Sequence, residues 1–157
     1  QQDDGYLFTY WTAINPAKQW TNINKDHELY CAGHFFEAAI AYYEVTGKRK
    51  MLDAAIKLAD HIDSIFGPDK RIEIPGHQEI ELALYKLHKT THEERYLKLA
   101  TFFINERGNP DRVDTIPPGF DPYAGTPNRW RHPSYRQDHL PVDKQYHATG
   151  HGVRHTR

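Results

Sequence analysis

Three Gly-His pairs occur in this 157-residue chain: Gly33-His34, Gly76-His77 and Gly150-His151. An imidazole donates or accepts a hydrogen bond according to its tautomer, which suits it to sugar hydroxyls. A glycine beside it lets a ligand or a neighbouring helix come close. The same pairs arise where a packing glycine precedes a histidine satisfied inside the core, and residue types alone leave both readings open. The stretch PGHQEIELAL, residues 75–84, sharpens the question. A helix start is best capped by Ser, Thr, Asp or Asn. Here Pro-Gly-His stands ahead of the helical pattern, so His77 either packs or is aimed beyond the helix end. His27 opens the preceding helical pattern in the same way.

Carboxylates are the next candidates. Glu28, Glu37, Glu79 and Glu81 all fall on predicted helices. A glycosidase pair needs carboxyls about 5–5.5 Å apart for retention or about 6.5–9.5 Å for inversion. Glu79 and Glu81 are two apart on a helix and point to different sides. Acidic residues in a first turn stabilise the helix dipole, which accounts for Glu28, Glu79 and Glu81. No catalytic residue is therefore assigned within this chain. Metal signals are weak: His27-Glu28 is not the start of H-E-x-x-H, because position 31 is cysteine. His147 and His151 are spaced i, i+4, but among eleven histidines chance spacing is the better account, and no metal ligand is assigned. Ser64 and Ser134 lack a nucleophile-elbow context, and no glycine-rich phosphate loop is present. The single cysteine, Cys31, excludes an intramolecular disulfide and a cysteine-built zinc site from this chain alone.

Bulk properties narrow the partners. The 20 Lys+Arg against 21 Asp+Glu give a formal net charge of -1, which argues against a nucleic-acid partner. No apolar run approaches the ~20 residues of a membrane-spanning helix, so no membrane partner is expected. No signal peptide is visible, but the chain begins QQDD without methionine, so a leader could have been removed. Bacterial periplasmic, secreted and cytoplasmic locations all stay open.

The elements that must position these residues are helical. Residues 1–26 carry turn signals (DGYL, NPAKQW, NINKD) and predict mostly loop with a short helical turn. From His27, HELYCAGHFFEAAIAYYEVTG is apolar on nearly all sides, which predicts a helix buried on most faces and stopped at Gly47. KRKMLDAAIKLADHIDSIFG places Met51, Leu52, Ala55, Leu58, Ala59, Ile62, Ile65 and Phe66 on one face, an outer-layer helix ended by Gly67-Pro68. A third helix is expected over about Gln78–Lys89. A fourth is expected from a capping box at Thr91-His92-Glu93-Glu94 to about Arg107. Leu52 aligns with Leu97 and Ala55 with Ala100 at an offset of 45 residues. Two such hairpins over 27–108 suggest an all-α ring or solenoid of alternating inner and outer helices. Residues 109–141 hold seven of the ten prolines together with Phe120, Tyr123, Trp130 and Tyr135. That predicts a long ordered loop, followed over 142–157 by the opening of a further helix.

The ordered segments DGYL, HELYCAGHFFEAAIAYYEVTGKRKMLDAAIKLADHID, PGHQEIELALYKLHKTTHEERYLKLATFFINERG and QDHLPV…GHGVR resemble glycoside hydrolase family 127, the beta-L-arabinofuranosidase family. The resemblance runs from Asp4 to Arg154. It implies a single domain over 1–157 that forms the N-terminal part of a catalytic (α/α)6 toroid. It implies a retaining hydrolase acting on beta-L-arabinofuranosides or related glycans, hence a carbohydrate partner. By motif, His27, His77 and His151 would line the sugar subsite, whereas His34 is assigned to packing. The resemblance also implies zinc for the intact enzyme, bound by a cysteine nucleophile with its cysteine and glutamate partners. Those groups and the acid/base glutamate come later in the family's chain, so this chain is expected to bring no cofactor site of its own and to be inactive alone. Cys31 matches HELYC and not the nucleophile motif, and GHGVRHTR departs from the apolar continuation expected after GHAVR. The rival reading is a non-catalytic helical-repeat module binding carbohydrate or protein. An incomplete toroid would also expose apolar inner faces and favour self-association.

Overall fold

A computed structural model describes residues 1–107 of the chain. The expectations for the 109–141 loop, the helix opening at 142 and His151 lie outside the described residues. The chain divides into two compact units, Gln1–Phe102 and Phe103–Arg157, and of the second only 103–107 are described. The described residues form α1 (Thr9–Ile14), a 3-10 turn (Pro16–Lys18), α2 (Glu28–Thr46), α3 (Lys50–Ile65), α4 (Ile80–Thr91) and α5 (Glu94–Glu106). The fold is all-α. Among the described residues the one β-type pairing is an isolated bridge between Phe66 and Arg71.

The helices form where the apolar rhythm is helical. On α2, Leu29, Ala32, Gly33, Phe36, Ala39 and Ile40 are buried, and the helix packs against both α3 and α4. Its opposite side leaves Cys31, His34, Ala38, Ala41, Tyr42 and Val45 exposed among the described residues. The expected burial on most faces is thus met on one side, where α3 and α4 lie. On α3 the buried set is Leu52, Ala55, Leu58, Ala59 and Ile62, the stripe expected from the pattern. Each fully buried Leu, Ile or Phe in these seams is worth about 1.5–3 kcal/mol of transfer free energy.

The second hairpin differs from expectation at its joint. α4 begins at Ile80 and runs through Thr91, two residues later than expected at each end. No capping box forms, because Thr91 belongs to α4. Its hydroxyl donates to the Leu87 carbonyl at 2.8 Å and accepts from the Glu93 N–H at 3.3 Å. His92 then takes a left-handed backbone, φ 62°, and breaks the helix. Glu94 is the first residue of α5 and not its third. α5 is tied to α3 by Tyr96, whose hydroxyl donates to Asp60 Oδ1 at 2.6 Å, and by Arg95 Nη2 on the same oxygen at 2.8 Å. Burial of Tyr96, then its bond to Asp60, pushes the phenol well above its ordinary value.

The N-terminal segment is mostly irregular, with α1 as its short helix. Its anchor is Glu28, which is 2% exposed. The Tyr6 hydroxyl donates to Glu28, and the Trp20 N–H reaches both carboxylate oxygens at 3.0 Å. Trp20 Nε1 donates to His61 Nε2 at 3.1 Å, and His61 Nδ1 lies 3.0 Å from the Asp4 carbonyl. The dipole explanation for Glu28 is therefore incomplete: the carboxylate straps residues 6–20 onto α2. Burial raises its carboxyl above the ordinary range, while the bonds from Tyr6 and Trp20 pull it back.

Candidate functional site

α2 starts without a side-chain cap. His27 is its N-cap in a left-handed conformation, φ 60°, and its imidazole makes no capping bond. A non-glycine residue held there stores roughly 1–3 kcal/mol of backbone strain, which the surrounding structure must offset. Instead of capping, the ring stacks on His77, with centroids 5.2 Å apart and planes 26° from parallel. Both residues are exposed. The structure thus brings together two of the three histidines expected at the site. The third, His151, lies outside the described residues.

His77 reaches His27 because its segment is pressed against two backbones. An added Cβ on Gly76 would meet the Asn24 carbonyl oxygen at 2.2 Å. Asn24 belongs to the turn at 22–26 that leads into His27, closed by the Lys25 and Asp26 N–H groups on the Asn22 carbonyl. An added Cβ on Gly33 would meet Glu79 Cγ at 2.8 Å, the Glu79 carbonyl carbon at 3.0 Å and the Ile80 nitrogen at 3.1 Å. Two of the Gly-His pairs therefore act alike. The glycine admits a neighbouring backbone, and the histidine after it makes the contact.

Two side chains that the sequence left aside complete the cluster. Tyr30 sits 6.0 Å from His27, 5.4 Å from His77 and 4.4 Å from His34, edge-on to His27 and His34. His34 is half exposed and does not pack into the core. Its Nδ1 lies 3.2 Å from Glu79 Oε1, which corrects its assignment to packing. Residues 27, 30 and 34 share one face by the i, i+3, i+7 rule, and that spacing was the available signal for Tyr30 and His34. Glu79 lies outside α4, so it does not serve in that helix's first turn. Glu81 does, and it accepts from the Glu79 N–H at 3.1 Å. Burial raises the Glu79 carboxyl; His34 lowers it, Glu37 raises it again, and Lys86 lowers it. The described residues offer one group able to hold a metal, His34, Glu37 and Glu79, with donor atoms within 4.8 Å of one another. The Lys86 ammonium already sits on Glu37.

The GH127 catalytic-domain profile, described as beta-L-arabinofuranosidase, matches residues 1–157. The chain belongs to the GH127 beta-L-arabinofuranosidase family. The non-reducing end beta-L-arabinofuranosidase of Bifidobacterium longum subsp. longum is 38% identical over 170 aligned residues, covering 98% of this chain and 25% of that protein. A solved GH127 beta-L-arabinofuranosidase from Geobacillus stearothermophilus T6 is 45% identical with a TM-score of 0.69, covering 93% of this chain and 23% of that one. A second solved structure, a GH127 beta-arabinofuranosidase, is 36% identical with a TM-score of 0.65, covering 93% of this chain and 22% of its own. This GH127 chain therefore spans about a quarter of the length of the relatives it matches. Its helical hairpins are part of the family's α/α toroid.

Proposed function

We propose that this chain contributes the sugar-binding histidines of a retaining glycoside hydrolase acting on beta-L-arabinofuranosides or related glycans. The observation that carries the reading is the exposed His27–His77 stack, 5.2 Å between centroids, bordered by Tyr30. Two imidazoles side by side present separate ring nitrogens, each able to donate to or accept from a different hydroxyl of one furanose. Tyr30 beside them is an aromatic ring of the kind whose face packs on a sugar's C–H groups. The family motif assigns the same role to His151, which lies outside the described residues. Membership in the arabinofuranosidase family supports a furanoside as the ligand.

In this reading the acid/base and the zinc-bound nucleophile come from outside the chain. Cys31 matches HELYC and not the nucleophile motif, and among the described residues it is not one of the side chains grouped closely enough to hold a metal, which are His34, Glu37 and Glu79. The zinc is thus proposed for the intact enzyme. Calorimetric titration with L-arabinose tests the reading. Saturable binding that weakens about tenfold or more in His77→Ala is expected, since one charge-assisted or neutral hydrogen bond is worth roughly 1–2 kcal/mol. Binding left untouched by that substitution would remove His77 from the site.

A further inference from the structure

We propose that Glu79, held by His34, is a positioning residue that fixes His77 against His27; its role in ligand binding rests on the sugar-subsite reading, whereas its geometry does not. His77 lies in residues 72–79, which form no helix. An unrestrained segment of that kind samples many conformations, and fixing it opposes folding. The segment is pinned on both sides of His77. Gly76 rests on Asn24 before it, and Glu79 rests on Gly33 after it.

Glycine at 33 removes a steric barrier but supplies no attraction. His34, the next residue, supplies it, with Nδ1 3.2 Å from Glu79 Oε1. The Glu79 side chain is 15% exposed and the His34 side chain 52% exposed, so the carboxylate is held on the shielded side and the imidazole at the rim. Glu79 Oε1 is cut off from solvent and makes no aligned hydrogen bond. Its approach to His34 is thus a close polar contact, and an ion pair only when the imidazole is protonated. Behind it stand Glu37 and, bonded to Glu37, Lys86 of α4. A second path runs through Tyr30, whose ring touches His34 at 4.4 Å and His77 at 5.4 Å. Glu79 is only two residues beyond His77, so a shift at 79 is passed along the chain to the imidazole. The site histidine and its holder are thus on one short segment, and both are clamped to one face of α2.

The test uses the full chain with labelled histidines, and the variants Glu79→Gln, Glu79→Ala, His34→Ala and the double alanine variant. The first readout is the nuclear Overhauser contact between the His27 and His77 rings, without any sugar. The second is the affinity for L-arabinose. Expected results are loss of the ring contact in E79A and H34A and about a fivefold to tenfold weaker affinity. E79Q keeps an acceptor in the same place and should recover part of both. The double variant should lose little more than either single one, because the pair acts as a unit. A fold-only role would leave the ring contact unchanged in H34A, which alters a half-exposed side chain. An unchanged ring contact in both single variants, with helical circular dichroism intact, overturns the proposal. If E79A fails to fold, H34A carries the same test. Loss of the ring contact in the variants, where the parent keeps the contact but binds no sugar, supports the positioning role and overturns only the subsite reading.

Discussion

Gly33→Ala puts the docking of the His77 segment to a quantitative test. The added Cβ would stand 2.8 Å from Glu79 Cγ and 3.0 Å from the Glu79 carbonyl carbon. Carbon atoms in contact sit at about 3.5–4.0 Å, so the shortfall is about 0.7 Å at Cγ and about 0.5 Å at the carbonyl, measured from the lower bound. The Cγ can swing aside, but the carbonyl carbon and the Ile80 nitrogen at 3.1 Å are backbone and must move. Overpacking of this kind costs about 1–3 kcal/mol. Replacing a mid-helix glycine by alanine returns about 0.5–1 kcal/mol through helix propensity. The net expectation is a loss of up to about 2.5 kcal/mol, with residues 77–80 displaced away from α2. Urea unfolding of the parent and G33A measures the first quantity, and the His27–His77 ring contact by NMR measures the second. A variant stabilised by the full propensity gain, with the ring contact intact, would refute the claim that Gly33 sets the approach.

Further outcomes concern the anchors beneath the site. The Glu28 carboxyl is raised on folding, chiefly by burial, so folding favours its protonated form. That stabilising contribution is fully present below the ordinary value of 4.5 and is lost as pH rises through the raised folded value. Glu28→Gln lacks this term, so its stability relative to the parent should improve across that window; a pH-independent difference in chemical denaturation would contradict the assignment. Tyr96→Phe removes the 2.6 Å bond to Asp60 while Arg95 keeps its own, and should destabilise the chain by about 1 kcal/mol in thermal unfolding. No loss there would mean that Asp60 is solvated rather than committed to Tyr96.

The sequence disclosed the helices because their apolar spacing is local. Leu52, Ala55, Leu58, Ala59 and Ile62 announce α3 without any partner in view. The joint between α4 and α5 was misread because Thr91-His92-Glu93-Glu94 satisfies a capping pattern. In the fold, Thr91 bonds back into α4 and His92 turns left-handed. The strap formed by Tyr6, Trp20, Glu28 and His61 left no local trace, since its partners are 8 to 41 residues apart. At the site, the Gly-His pairs signalled close approach, but not which backbone approaches. Only the fold shows that Gly33 receives Glu79 and that Gly76 receives Asn24. Tyr30 and His34 were recoverable from their helical spacing to His27. Glu79 was not, because its contact depends on a loop crossing α2.

The central claim is that the stacked imidazoles of His27 and His77 receive a furanose. Histidine-selective 15N NMR of the chain during titration with L-arabinose tests it most directly. The expected result is that the His27 and His77 signals move together and saturate, while His61, enclosed by Trp20 and Asp4, stays in place. Saturating sugar that leaves both signals where they began would contradict it.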